Sequence, residues 1–194
     1  MKENILENFE KDTKDHKLDI LLDQGIYRHL KLRRPNTGIF GFDIITWPGY
    51  LAISGDMGCY VFSRVNDMFT FFSKDYTKIN LGCWAEKVQA QEKHSGIEKW
   101  SQDRLHSQLL YRIKDQFEDE QKQQECVDSI KDCGLWDACD AYEAHEAAES
   151  FDGFEGFDLT DFWEINCNDY TYQYIWCCHA ICWAINKYEE AKKG

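Results

Sequence analysis

The chain has 194 residues, 43% hydrophobic and 15% aromatic, and carries a formal net charge of −13. That length holds one ordinary domain, or a domain with a helical extension, and the apolar content argues against a disordered chain. No apolar run reaches the ~18 residues of a membrane span, and no charged-then-apolar leader opens MKENILENFEKDTKD, so a cytoplasmic protein is expected.

Residues 3 to 9 read as the start of a short helix. Asp15 is placed to cap a second helix, with Leu18, Leu21 and Leu22 on one face and Gly25 just past its end. An alternation opening at Tyr27 and Arg28 predicts a strand from Ile26 to Arg33, followed by the loop Arg34-Pro35-Asn36-Thr37-Gly38. Ile39 to Phe72 then shows apolar runs separated by two turn signals, Trp47-Pro48-Gly49 and Gly55-Asp56-Met57-Gly58. Pro pre-sets φ for a turn and Gly supplies positive φ, so this stretch predicts two successive hairpins.

The register follows from the turns. A two-residue loop at Pro48-Gly49 pairs Trp47 with Tyr50 and Ile44 with Ile53. A loop from Gly55 to Gly58 pairs Ser54 with Cys59 and Ile53 with Tyr60, whereas a loop of odd length would swap the last strand's faces. Side chains alternate across a strand, and paired residues share a face. One face collects Phe40, Phe42, Ile44, Leu51, Ile53, Tyr60 and Phe62, all apolar. The other collects Asp43, Ile45, Trp47, Tyr50, Ala52, Ser54, Cys59, Val61 and Ser63.

Beyond the meander the pattern turns helical. Asn66 is an N-cap candidate for a short helix from Asp67 to Phe72, and Ile79 to Gln91 is another helical candidate. Ser101 caps a longer helix with Leu105, Leu109, Ile113 and Phe117 in one stripe, expected to cover the aromatic face of the sheet. Gln121 to Cys133 ends at Gly134, and Asp137 to Ser150 is rich in Ala. Phe151 to Phe157 reads as a connection. Tyr170 to Glu190 is apolar all round, the mark of a buried helix, although Tyr170 to Cys177 also suits a strand.

Several blocks, falling in order, resemble a family of phage and prophage proteins. They are Tyr27-Arg28-His29-Leu30, Phe42-Asp43, Thr46-Trp47-Pro48-Gly49, Ser54-Gly55-Asp56-Met57-Gly58, Tyr60-Val61-Phe62-Ser63-Arg64, Asp67-Met68-Phe69 and Trp84-Ala85-Glu86-Lys87. The resemblance covers residues 15 to 115 and implies a phage gene. It brings no established activity, so no catalytic residue comes with it.

Candidate chemistry is sparse. Cys177-Cys178-His179 with Cys182 is the metal candidate, its further ligands to be drawn from Cys126, Cys133, Cys139, Cys167 or His145. The spacing matches no standard zinc module, there is no Cys-x-x-Cys, and buried structural thiols are the simpler reading. His29 reads as a structural histidine, Asp43 as an acid on the mixed face and Asp56 as a turn acid. No nucleophile, phosphate-binding or metalloprotease motif is present.

Charge is the unusual feature. From Asp115 to Asp169 there are eighteen acids against Lys122 and Lys131, a net of −16, which leaves about +3 elsewhere. Asp137, Asp140, Glu143, Glu146, Glu149, Asp152, Glu155, Asp158, Asp161 and Glu164 recur every third residue. On a helix the first five make a slowly spiralling carboxylate ridge, comparable to the row of phosphates on a nucleic-acid strand.

The expected fold is α+β. A four-stranded antiparallel sheet within residues 1–118 packs with acidic helices of 119–194, as one unit. The expected function is that of a phage-encoded counter-defence inhibitor, anti-CRISPR-like. It binds a host nucleic-acid-binding defence protein of the CRISPR nuclease type through an acidic surface that imitates nucleic acid. Asp137, Asp140, Glu143, Glu146 and Glu149, with the hairpin-tip aromatics Trp47 and Tyr50, are the candidate partner contacts. No cofactor, metal or catalytic residue is assigned, and neither direct nucleic-acid binding nor membrane binding is expected. The alternatives are a metal-assisted hydrolase acting on a small or nucleotide substrate, and a structural protein of phage assembly.

Overall fold

The computed structural model describes residues 4–194, which divide into two units: residues up to Ile97 together with Tyr170–Gly194, and Glu98–Asp169. The fold is α+β. In the first unit α1 (Ile5–Thr13) precedes β1 (Lys17–Gln24), β2 (Tyr27–Arg33), β3 (Phe42–Trp47), β4 (Tyr50–Gly55) and β5 (Gly58–Ser63). Then come α2 (Leu81–Ala85) and β6 (Val88–Ala90). The second unit holds α3 (Gln102–Gln116), α4 (Glu120–Asp132) and α5 (Ala141–Glu149). The chain enters it through β7 (Glu98–Trp100) and leaves through β8 (Asn168–Tyr170), which pair with each other, before α6 (Tyr172–Lys193).

The sheet has six strands in sequence order, all neighbours antiparallel, rather than the expected four. The two additions replace helices predicted from sequence. Lys17–Gln24 carries three leucines at helical spacing, yet it pairs with β2 along its whole length. Gly25, at φ +65°, closes the turn between Gln24 and Tyr27 instead of ending a helix. A bulge after Ile20 leaves Leu21 exposed, which is how a helical spacing of leucines fits an edge strand. The candidate helix at 79–91 stops at Ala85, and Val88–Ala90 pairs with β5.

The hairpin register is the expected one: Trp47 faces Tyr50, Ile44 faces Ile53, Ser54 faces Cys59 and Ile53 faces Tyr60. The second turn is tighter than a four-residue loop, because Gly55 and Gly58 also pair, and the faces are unchanged. A Cβ on Gly55 would lie 2.7 Å from Cα of Phe42, so only glycine fits there.

On the covered face Leu30, Leu32, Ile44, Leu51, Ile53, Tyr60 and Phe62 are wholly buried. They share one core with Phe9 of α1 and with α6, which is buried on nearly every side from Tyr174 to Ile185. Polarity is met locally: the indole of Trp176 donates to Asp12 at 3.0 Å. The α3 stripe does not join this core. Leu105, Leu109, Ile113 and Phe117 pack instead with Cys126, Ile130, Leu135 and Ala144 inside the second unit. A boundary at residue 118 falls in the link between α3 and α4, and residues 170–194 belong with the sheet.

Charge follows this division. The segment 98–169 has twenty acidic and six basic residues, a net of −14, whereas the rest of the chain has fifteen and sixteen, a net of +1. Among the described residues no helix is long and apolar enough to cross a membrane.

Candidate functional site

A sheet covered on one side turns alternate residues outward on the other. The outward rows here are Asp43, Ser54, Cys59; Ile45, Ala52, Val61; and Trp47, Tyr50, Ser63, none of them buried. β2 adds His29 opposite Ile45 and Lys31 opposite Asp43. Tyr27 lies two residues before His29 on the same side of the strand and is 49% exposed.

Two groupings stand out on this face. His29 Nε2 lies 2.7 Å from one carboxylate oxygen of Asp43, and Arg33 donates to the other at 3.1 Å. All three side chains are part-exposed, at 32%, 25% and 40% for His29, Asp43 and Arg33. Asp43 thereby fixes an imidazole and a guanidinium side by side, each with hydrogen-bonding capacity left for a ligand. At the tip of the same hairpin, Trp47 and Tyr50 stack at 5.2 Å with an 11° angle between their planes. Trp47 stands four residues along β3 from Asp43, about 13 Å at the rise of an extended strand.

The sequence reading weighed His29 and Asp43 separately and missed their pairing. Facing Leu30 with Ile44 puts His29 and Asp43 on a diagonal, within reach of long side chains. The loop from 34 to 41 hid that register, because its length left the slip of β2 against β3 open. Asp56 keeps a turn role: its carboxylate accepts from the backbone N–H of Phe40 at 2.9 Å, which holds that residue at φ 57°.

The cysteine cluster is core. Cys177, Cys178 and Cys182 are buried, and burial raises all three thiol pKa values, that of Cys182 to about 12. Cys126 in the second unit is pushed up to about 11 for the same reason. Burial lowers the pKa of His179, whose Nδ1 donates to the Tyr76 carbonyl at 2.6 Å while the ring stacks on Phe9. Among the described residues no three Cys, His, Asp or Glu gather as metal ligands. The nine thiols are free, and reactivity follows exposure. In the native protein Cys59 and Cys139 therefore react fast with a disulfide reagent, while Cys177, Cys178 and Cys182 wait for denaturation. A fast-reacting Cys178, read by mass mapping, contradicts this packing.

The acidic row is exposed along its whole length, from Asp137 to Glu164. It is not one helical ridge. Asp137 ends a short 3-10 turn, Asp140 caps α5 by accepting from the Glu143 N–H at 2.9 Å, and only Glu143, Glu146 and Glu149 lie on the helix. These three span about 9 Å of rise. Glu143 also accepts from the Cys139 N–H at 2.8 Å and Glu146 from the Tyr142 hydroxyl at 2.6 Å. Glu155 pairs with Lys122.

Comparison with protein-family models, curated proteins and solved structures returns no match.

Proposed function

We propose that the protein is a phage-encoded, counter-defence binding protein. Its second unit occupies a basic, nucleic-acid-binding groove on a host defence nuclease of the CRISPR type. One observation carries the reading: the net charge of −14 is confined to a segment with its own apolar core, and its periodic carboxylates are exposed. A folded acidic module presents charge to a basic channel without the ordering cost of a flexible tail. It repels free nucleic acid and is steered to surfaces of opposite sign.

The test is a triple substitution, Glu143→Gln, Glu146→Gln and Glu149→Gln. Glutamine still accepts from the Cys139 N–H and the Tyr142 hydroxyl, so melting temperature stays within a few degrees. Three exposed contacts at about 0.5 kcal/mol each amount to roughly a tenfold loss of affinity for a purified CRISPR-type nuclease. Guide or target nucleic acid then competes better for the groove, and the salt dependence of binding becomes shallower. Unchanged affinity and salt slope, in a protein that binds the nuclease, remove the acidic unit from the contact.

A further inference from the structure

The open sheet face carries a second set of groups that the acidic unit's role leaves unused. We propose that this face binds a short free nucleotide, a nucleobase carrying one or a few phosphates. The base lies on the Trp47–Tyr50 stack, and the phosphate is held near Arg33, His29 and Lys31.

Each part of that ligand meets its chemistry on the face. A planar ring stacks on exposed aromatics, and Tyr50 is 38% exposed beside Trp47, with Tyr27 on the same face. A phosphate is recognised by guanidinium, ammonium and imidazole donors. Arg33 is tied to Asp43 by one hydrogen bond at 3.1 Å and keeps further N–H donors. Asp43 accepts from His29 Nε2 and so sets the ring's orientation, which leaves Nδ1 at the face, a donor to phosphate in the imidazolium form. The His29 row lies one two-residue step, about 7 Å, from the aromatic row, and the Asp43 row one step further. A nucleotide whose base lies on the aromatic row places its phosphate over the His29 row, with the long Arg33 side chain, held by Asp43, one step beyond it.

Charge sets the size of the ligand. Lys17, Lys31 and Arg33 share this face with Asp19 and Asp43, and both oxygens of Asp43 are engaged. Three cations against two carboxylates leave an excess of one, enough for a short phosphate group and not for a row of backbone phosphates. A short nucleotide is thus the occupant, not a nucleic-acid strand.

Isothermal titration of the full chain with adenosine, 5′-AMP, the dinucleotide ApA and a short DNA duplex tests this. ApA and 5′-AMP bind saturably, adenosine binds at least about tenfold more weakly, and the duplex does not compete. Trp47→Ala and Arg33→Ala each weaken 5′-AMP binding about tenfold or more with the melting temperature kept, and Tyr50→Ala supplies a second stacking variant should Trp47→Ala not fold. Glu149→Gln, in the acidic unit, leaves 5′-AMP binding unchanged while lowering affinity for the defence nuclease. Absence of saturable binding, equal binding of adenosine and 5′-AMP, tighter binding of the duplex, or full binding by folded Trp47→Ala or Tyr50→Ala each overturns the proposal.

Discussion

Replacing Asp67 by Asn destabilises the sheet unit by about 3 kcal/mol at neutral pH, because it strips a largely buried arginine of its counter-charge. Arg28 and Asp67 form a two-pronged pair at 2.8 and 2.9 Å, with side-chain exposures of 11% and 29%. The guanidinium also sits 4.4 Å from the ring centre of Phe69 and 5.6 Å from that of Tyr188. The pair ties β2 to the turn after β5, where Asp67 also accepts from the Phe69 N–H. Asparagine keeps that cap but not the charge.

Its pH dependence has a definite sign. The hydrogen bond from Arg28, foremost, holds the Asp67 carboxyl below the usual carboxylate range. A depressed folded pKa gives stability that is present above the unfolded value, about 3.9, and is lost as pH falls through the folded value. Urea titrations therefore show a wide gap between wild type and Asp67→Asn at pH 7 that narrows in acid below the unfolded pKa. A gap that stays constant from neutral to strongly acid solution shows that the charge pair is not the source.

Phe62→Ala costs about 3–5 kcal/mol, while its neighbour Ser63→Ala stays within about 0.5 kcal/mol. Phe62 is wholly buried and meets Phe72 edge-on at 5.3 Å, so truncation leaves a cavity among aromatic rings. Ser63 points to the open face, opposite Tyr50. Ile53→Ala and Ser54→Ala repeat the contrast on β4, at about 2–5 kcal/mol against a few tenths. Equal thermal shifts for the buried and the open positions contradict the register.

The central meander was legible because its turns carry their own chemistry. Trp47-Pro48-Gly49 and Gly55-Asp56-Met57-Gly58 each define a short loop, and a short loop fixes which residues face each other. The alternation of apolar and polar residues then assigns both faces without knowledge of the rest of the chain. The stretch of α6 from Tyr174 to Ile185, apolar on nearly every side, and the Ser101 cap of α3 are local signals of the same kind.

What local pattern left open was decided by partners distant in sequence. Lys17–Gln24 is a weak helix by spacing and a weak strand by alternation; seven of its eight residues pair with β2, and that settles it. Whether α3 or α6 covers the sheet cannot be read from either stripe, since both are apolar enough. That α6 returns to the sheet after the acidic segment is a property of topology. The His29–Asp43–Arg33 group depends on the β2–β3 slip across a loop whose length the sequence does not constrain. The excess of acid was countable from the chain alone. Its confinement to one separately packed unit, while the sheet unit carries nearly zero net charge, appears only when the core contacts of 98–169 are known, because charge is a sum over residues and its placement follows from which apolar side chains bury each other.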